Sequence, residues 1–143
     1  MAHEETARYI LVAEDSESDL FLVREALRAE KVDWRLHVIA DGEAAIAFIE
    51  QMDVDLNQLC PEVVLLDLHL PKQDGETILK RLRASDRCAN IPVVVLTSSL
   101  SAEDKRKVER HPPVHFFRKP TSLVEFMELG LIVKSAIAGG AAI

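Results

Sequence analysis

The sequence predicts an α/β domain in which five helices cover a doubly wound, five-stranded parallel sheet. Five short apolar runs alternate with five segments whose apolar residues recur at helical spacing, which indicates consecutive strand–helix units. Apolar residues make up 48% of the 143-residue chain, which is enough for the core of one domain. Charged or hydroxyl residues end several of these runs, as expected where parallel strands form a ligand-binding edge.

The predicted strands are short and mostly apolar. Three of them are almost continuous apolar runs, which indicates burial on both faces of the sheet. The second alternates between apolar and polar residues, which also predicts a strand. In chain order the strands are Tyr9–Ala13, Trp34–Ile39, Val63–Asp67, Pro92–Thr97 and Val114–Arg118.

The predicted helices follow residues that favour turns or helix caps. Ser16 or Ser18 is expected to cap the first, and Ser122 with Glu125 fits a capping box before the last. The fourth helix, over 101–110, is unusually charged. The other helical patterns cover 18–30, 45–52 and the segment after Gly75, and the last begins after the capping box.

Right-handed crossovers restrict the order in which these strands can pair. The commonest five-strand arrangement is the flavodoxin-like order 2-1-3-4-5, with a ligand crevice between the ends of the first and third strands. Glu14 and Asp15 follow the first strand, and Asp67 ends the third. We therefore expect these three carboxylates to meet in the crevice.

Three carboxylates in one crevice repel one another. Two unit charges ~4 Å apart cost about 4 kcal/mol at an effective dielectric constant of 20. A Mg²⁺ ion bound by oxygen ligands would offset this repulsion and leave positions open for a phosphoryl group. Asp67 could then act as a nucleophile, while Thr97 and Lys119, at the ends of the fourth and fifth strands, could contact phosphoryl oxygens. The alternative is a solvated acidic rim without a special use.

Composition argues against several other classes of protein. A net charge of −7 argues against nucleic-acid binding, which needs a clustered basic face. Cys60 and Cys88 lack metal or redox spacing, so we expect reduced thiols in an intracellular protein. Neither a signal peptide at Met1–Glu5 nor an apolar run of ~18 residues is found, which predicts a cytoplasmic protein without a membrane partner.

The order of the crevice residues resembles the receiver domain of two-component response regulators. No single feature is specific, but five features at the ends of the appropriate strands are together very specific. The likeness covers about Tyr9 to Ala138, so we expect residues 1–143 to form a single receiver domain with short flexible ends. The matching features are Glu14-Asp15, Asp67 followed by Pro71, Asp74-Gly75, Thr97-Ser98 and Lys119-Pro120.

The resemblance implies how the acidic residues work. Asp67 would accept a phosphoryl group from a histidine kinase or a phosphotransfer protein. Asp15, Asp67 and the backbone carbonyl of His69 would bind Mg²⁺, and Glu14 would help through a water molecule. The protein would then be a signalling switch in a phosphorelay and not an enzyme, apart from Mg²⁺-dependent self-phosphorylation and self-dephosphorylation.

The resemblance also implies a conformational switch. Thr97 and Lys119 would contact the phosphoryl oxygens, and the ring of Phe116 would turn inward as Thr97 moves toward the phosphoryl group. The signalling face would comprise the fourth helix, fifth strand and fifth helix, and some relatives form homodimers through it. Because no output domain follows the last helix, we expect this face to bind a downstream protein target.

Some residues depart from the pattern of the family. Phe116 lacks the hydroxyl group of a tyrosine, and His111-Pro112-Pro113 stands where a Gly-Ala turn is common. His69, two residues after Asp67, can border the phosphoryl group, and we hypothesise that its side chain tunes the lifetime of that group. The alternative is an exposed histidine without effect.

A weaker likeness concerns the segment from Val32 to Phe48 and the long connection before the third strand. Both features resemble those of stand-alone receivers that serve bacterial phytochrome kinases. Two other functions are left open. A degenerate receiver would bind a partner without phosphorylation, although the complete acid set argues against it. An aspartyl phosphatase would usually carry a second acid two residues after the nucleophile, where this chain has His69.

Overall fold

The sheet contains five parallel strands, in the predicted flavodoxin-like order. The computed structural model describes residues 8–32, 34–99 and 101–139. The strands are β1 (Tyr9–Ala13), β2 (Arg35–Ile39), β3 (Val63–Asp67), β4 (Val93–Thr97) and β5 (Val114–Arg118). Their order across the sheet is β2-β1-β3-β4-β5, so the predicted topology is confirmed.

Five helices cover the two faces of the sheet. They are α1 (Glu17–Ala29), α2 (Gly42–Val54), α3 (Gly75–Arg83), α4 (Ala102–Glu109) and α5, whose segments Leu123–Phe126 and Glu128–Ile137 meet at Met127. No helix in the described ranges has both the length and the apolar character that crossing a bilayer requires. The Met1–Glu5 segment and most of the ends predicted to be flexible lie outside the described residues.

The core has two halves, one on each face of the sheet. Strand residues alternate between the halves because successive side chains of a strand point to opposite faces. Leu11, Val64 and Val95 pack under α2, α3 and α4, whereas Ile10 and Leu65 pack under α1 and α5. Residues of β1, β3 and β4 are buried throughout, as the continuous apolar runs predict. The carboxyl ends of these strands are therefore held at one fixed edge.

Two glycines position the loop that leaves the end of β3. Gly42 opens α2, and its N–H donates to the carbonyl of Pro71 at 2.9 Å. A Cβ on Gly42 would lie 2.4 Å from the Cβ of Gln73, and one on Gly75 would lie 2.9 Å from the Cα of Leu68. Backbone therefore packs against backbone here in a way that no larger residue allows. The loop is held between α2 and α3, directly beside Asp67.

The helix caps agree with the sequence in type but not always in position. Ser16 caps α1 by accepting from the N–H of Asp19, and Ser122 caps α5. Helix α2 begins at Gly42, three residues before the predicted helical pattern of 45–52, because Asp41 caps it by accepting from the N–H of Ala44 at 2.8 Å.

A half-buried arginine connects elements at the opposite edge of the sheet, where β4 and β5 begin. Arg83, in the last turn of α3, donates to four backbone carbonyls that lie before β4 and β5, at 2.6–3.0 Å. Burial lowers the pKa of its guanidinium to about 10. These bonds hold the unusual entry into β5 that His111-Pro112-Pro113 forms, where the Pro112–Pro113 peptide is cis. The acceptors are the carbonyls of Ala89, Ile91, His111 and Pro113.

The expectation of reduced thiols is wrong in this structure. Cys60, before β3, and Cys88, after α3, form a disulfide with their Cα atoms 5.8 Å apart, within the usual range for such bonds. The residues are 28 positions apart in the chain, and this spacing carries no sign that the two loops adjoin. Arg87 strengthens the same connection by donating to the carbonyls of Met52 and Asp55.

We predict that reducing the disulfide destabilises the fold. A bridge across 28 residues stabilises the folded state by roughly 3–4 kcal/mol in the chain-entropy treatment. Urea unfolding with and without dithiothreitol should therefore show this loss for the wild type. The Cys60→Ser variant should already be less stable and should not respond to dithiothreitol. A wild type whose unfolding curve is unchanged by complete reduction would contradict the prediction.

Candidate functional site

Three carboxylates lie together at the carboxyl ends of β1 and β3. One oxygen each from Glu14, Asp15 and Asp67 can be chosen so that all three lie within 4.8 Å of one another. Glu14 and Asp67 are only 1% and 7% exposed, whereas Asp15 is exposed. The structure thus brings together the three acids that the sequence assigns to the crevice. One side of the cluster faces solvent and the other faces the core.

Lys119 enters the cluster from the end of β5. Its Nζ lies 2.7 Å from Glu14 Oε1, 2.8 Å from Asp19 Oδ2 and 3.5 Å from Asp67 Oδ2. The side chain is only 11% exposed, so the ammonium group depends on these carboxylates for its polar contacts. The backbone fixes this position, because the N–H of Lys119 donates to the carbonyl of Thr97 at 2.7 Å. One ammonium group therefore joins the ends of three strands and α1.

Asp19 is a member of the site that the sequence reasoning missed. It lies in the first turn of α1, whose amino end faces the carboxyl edge of the sheet. The available signal was its place one helical turn after Asp15 and three residues after the cap Ser16. Helix periodicity alone marks such a residue as solvent-exposed, so its contact with Lys119 was not expected.

The charges of the cluster do not balance. The cluster has four carboxylates, from Glu14, Asp15, Asp19 and Asp67, and the ammonium group of Lys119 contacts three of them, Glu14, Asp19 and Asp67. Burial raises the pKa of the Glu14 carboxyl from 4.5 to about 7, and the Asp67 charge adds to this effect, whereas Lys119 opposes it. Burial alone would lower the pKa of Lys119, but its hydrogen bonds to Asp19 and Glu14 raise it, so the ammonium stays protonated.

Asp67 is oriented by the loop that follows it. Its Oδ1 accepts a hydrogen bond from the N–H of His69 at 3.0 Å, which leaves Oδ2 directed toward Lys119. The His69 side chain is 54% exposed, with Nε2 3.9 Å from Asp104 on α4. It therefore lies at the outer rim of the crevice. A role in phosphoryl lifetime stays a prediction.

Thr97 does not contact the carboxylates in this structure. Its hydroxyl donates to the carbonyl of Ser99 at 2.7 Å and accepts from the N–H of Ser99 at 3.2 Å. Phe116, on β5, is half-buried and lies beside α4, with Lys105 Nζ 5.8 Å from its ring centre. These two contacts connect the end of β4 and the middle of β5 to the segment that carries α4.

The acid cluster suits a small divalent cation. Magnesium prefers oxygen ligands at 2.0–2.1 Å and usually keeps several waters, so few protein ligands are needed. Two oxygens bound to one Mg²⁺ are at most ~4.2 Å apart. The three carboxylate oxygens, within 4.8 Å of one another, would need to close only slightly around the ion. The excess of negative charge provides a further reason for a cation here.

Comparison with known families decides the identity of the fold. The profile described as "Response regulator receiver domain" matches residues 10–129, most of the chain. The chain belongs to the response regulator receiver domain family. This receiver domain carries its cluster of acids at the strand ends that the resemblance in its sequence indicates.

Relatives of this receiver domain include phytochrome-associated proteins. Response regulator Rcp1 of Synechocystis sp. is 41% identical over 97 residues, which span 68% of this chain and 66% of Rcp1, just under two thirds of its length. The structure of a phosphorylated cyanobacterial phytochrome response regulator, RcpA, superposes with a TM-score of 0.80 at 28% identity. The aligned regions cover 93% of this chain and 96% of RcpA.

A second structural relative was solved with a metal ion. The Mn²⁺-bound form of Rcp1 superposes with a TM-score of 0.76 at 34% identity, covering 89% of this chain and 91% of Rcp1. The likeness to phytochrome-associated response regulators, which the sequence suggests only weakly, is thereby confirmed.

We predict a pH dependence that originates at Glu14. Its pKa in the folded state, about 7, lies above the ordinary 4.5, so the folded state retains a proton that the unfolded state has lost. The stability from this group is complete below about pH 4.5 and is lost as the pH rises through 7. Without divalent ions, the free energy of unfolding should fall by up to about 3 kcal/mol between pH 5 and 8.

The Glu14→Gln variant isolates this effect. Glutamine does not titrate, so the difference in unfolding free energy between the two proteins should change over the same pH range. Denaturant unfolding at several pH values in the presence of a chelator measures it. A constant difference from pH 5 to 8 would show that Glu14 has an ordinary pKa.

Proposed function

We propose that this receiver domain accepts a phosphoryl group on Asp67 from a sensor histidine kinase or a phosphotransfer protein. In this reaction a carboxylate oxygen of Asp67 attacks the phosphorus of a phosphohistidine. The new O–P bond forms as the P–N bond breaks, and the imidazole leaves with the electron pair. The observation that carries the proposal is the position of Asp67, with Oδ2 3.5 Å from Lys119 Nζ and two further carboxylates beside it.

The residues around Asp67 have separate parts in this proposal. Asp15, Asp67 and the backbone carbonyl of His69 would hold Mg²⁺, with Glu14 contributing through a water molecule. When bound, the ion would neutralise charge that builds up on the transferred phosphoryl oxygens. Lys119 would contact one of these oxygens, since its ammonium group already lies next to Asp67.

The switch would begin with a change of hydrogen-bond partner at Thr97. In this structure its hydroxyl donates to the carbonyl of Ser99. A phosphoryl oxygen on Asp67 would be a charged and therefore stronger acceptor. Turning toward it would break the bond to Ser99 and release the segment before α4. The ring of Phe116 would then move inward, away from Lys105.

The signalling face would be α4, β5 and α5, which would bind a downstream protein or a second copy of this chain. We propose a bacterial phytochrome as the histidine kinase, because Rcp1 and RcpA are response regulators with phytochrome associations. A cytoplasmic location and a single receiver domain complete the proposal. Self-phosphorylation and self-dephosphorylation would be its only chemistry.

We predict that Asp67→Asn abolishes phosphorylation. The amide is a far weaker nucleophile than the carboxylate, so incubation with acetyl phosphate and Mg²⁺ should label the wild type and leave the variant unlabelled. Intact-protein mass spectrometry and peptide mapping measure the adduct. The matched control is Asp74→Asn, because Asp74 caps α3 and asparagine caps equally well. Labelling at another residue, or none in the wild type, would refute the proposal.

We predict that Asp15 contributes to binding of the divalent ion. A ligand that binds only the folded state raises its stability. Mg²⁺ at 10 mM should therefore raise the melting temperature of the wild type, and Asp15→Asn should remove most of this rise. Asp86→Asn, an exposed acid in the loop after α3, should respond like the wild type. If Mg²⁺ raised the melting temperature of Asp15→Asn as much as that of the wild type, the ion would bind elsewhere.

A further inference from the structure

A groove lies at the end of the sheet opposite to the phosphorylation site. It is formed by the last turns of α1, the chain before β2 and the end of α5, and we call it the Trp34 groove. Its main cavity has a volume of about 650 Å³ and adjoins a smaller one of about 230 Å³. The cavities share Lys31, Val32 and Trp34. Nothing in the proposed phosphorylation uses this part of the molecule.

Basic side chains surround Trp34. Arg24, Arg28 and Lys31 line the main cavity, and Lys134 lines the smaller one. The guanidinium of Arg8 lies 5.4 Å from the centre of the Trp34 ring. The described residues that line the two cavities include no acid, and Asp33, between Val32 and Trp34, lies outside the described residues. Five cations thus gather around one indole in a chain whose net charge is −7.

Two of these cations have acidic neighbours at the rim. Arg28 pairs with Glu25, one turn earlier on α1, and Lys134 on α5 lies 3.7 Å from Glu30. Both basic side chains are more than half exposed, so water screens these pairs strongly. A carboxylate from outside can replace either partner at little cost, and the groove keeps its positive charge.

The floor of the groove is apolar and recessed. Leu27 is buried in the core beneath it, and Val32 and Leu36 are partly buried against the same half of the core. The cavity therefore receives an apolar group from outside and does not project one outward. This shape differs from a membrane-binding surface, where apolar side chains protrude into the bilayer.

The groove borders the open edge of the sheet. Among the described strands, β2 pairs only with β1, and none of them lies along its other edge. Such an edge, with pockets beside it, is suited to an extended peptide. Single-stranded nucleic acid also combines stacking with basic contacts, but the surplus of 24 acids over 17 basic residues in this chain opposes a polyanion beyond the groove.

We propose that the Trp34 groove binds an acidic, extended segment of a partner protein. An aromatic or aliphatic side chain of the segment enters the cavity beside Trp34, and carboxylates on both sides of it contact Arg24, Arg28 and Lys31. Because the groove lies at the opposite end of the sheet from Asp67, binding does not depend on phosphorylation. It would hold the receiver domain on a partner in both of its signalling states.

The single tryptophan of the chain provides a direct measurement. The probe is a nine-residue peptide with a central Phe-Asp-Leu sequence and three acidic residues on each side. We expect a saturable change in Trp34 fluorescence and binding that weakens as salt is raised. A peptide in which Gln and Asn replace Glu and Asp should bind at least tenfold more weakly. So should an acidic peptide in which Ser replaces Phe and Leu.

Charge reversal tests the location. Arg24→Glu with Arg28→Glu should weaken peptide binding at least tenfold. Arg106→Glu with Arg110→Glu, two exposed residues of α4 and its end, should leave it unchanged. Circular dichroism checks that the variants fold. If the variant with Arg24→Glu and Arg28→Glu does not fold, Arg24→Gln with Arg28→Gln replaces it. Beryllofluoride with Mg²⁺, which mimics phosphorylation, should leave the affinity unchanged even if Asp67 proves not to be the acceptor.

Several results would overturn the proposal. The neutral peptide could bind as well as the acidic one, or both charge reversals could have the same effect. Vesicles of anionic phospholipid, or a single-stranded oligonucleotide, could bind more tightly than the peptide and compete with it. Either result would assign the groove to another class of ligand.

Discussion

The buried contact between Lys119 and the carboxylates at the strand ends is the interaction on which the site depends. An ammonium group that is almost fully buried is costly unless oxygen atoms surround it. Here Glu14, Asp19 and Asp67 provide those atoms, and each comes from a different element of the fold. The parallel sheet brings the elements together because the ends of its strands share one edge. The chemistry of the site therefore follows directly from the topology.

The same interaction leaves the negative charge of the site only partly neutralised. Lys119 pairs with three of the four carboxylates but cannot neutralise the whole cluster, and burial keeps the pKa of Glu14 raised. A divalent cation and a phosphoryl group both fit an arrangement of this kind, the cation because of the excess acid and the phosphoryl group because of Lys119. The hydroxyl of Thr97 donates to the carbonyl of Ser99, and in the proposed mechanism a phosphoryl oxygen would compete for this donor. In the proposed mechanism, the hydroxyl group of Thr97 would connect phosphorylation to the conformational change.

Much of this could be predicted from the sequence, because buried parallel strands are continuous apolar runs with polar ends. Three strands begin and end at the predicted residues, and the acids after β1 and β3 meet as expected. The features that were missed depend on contacts between distant side chains. Asp19 resembles any exposed helix residue, Cys60 and Cys88 have no diagnostic spacing, and Arg83 resembles a surface arginine. Only the packed structure shows what each of them contacts.

In the proposed mechanism, a phosphoryl group on Asp67 would lie between Lys119 and Thr97. A crystal structure of the protein with Mg²⁺ and beryllofluoride tests this most directly. We expect the adduct on Asp67, with fluorine atoms within hydrogen-bond distance of Lys119 Nζ and Thr97 Oγ1, and with the bond from Thr97 to Ser99 broken. The proposed mechanism would be wrong if the adduct formed on Asp67 but Thr97 still donated to Ser99, and Lys119 still contacted only Glu14 and Asp19.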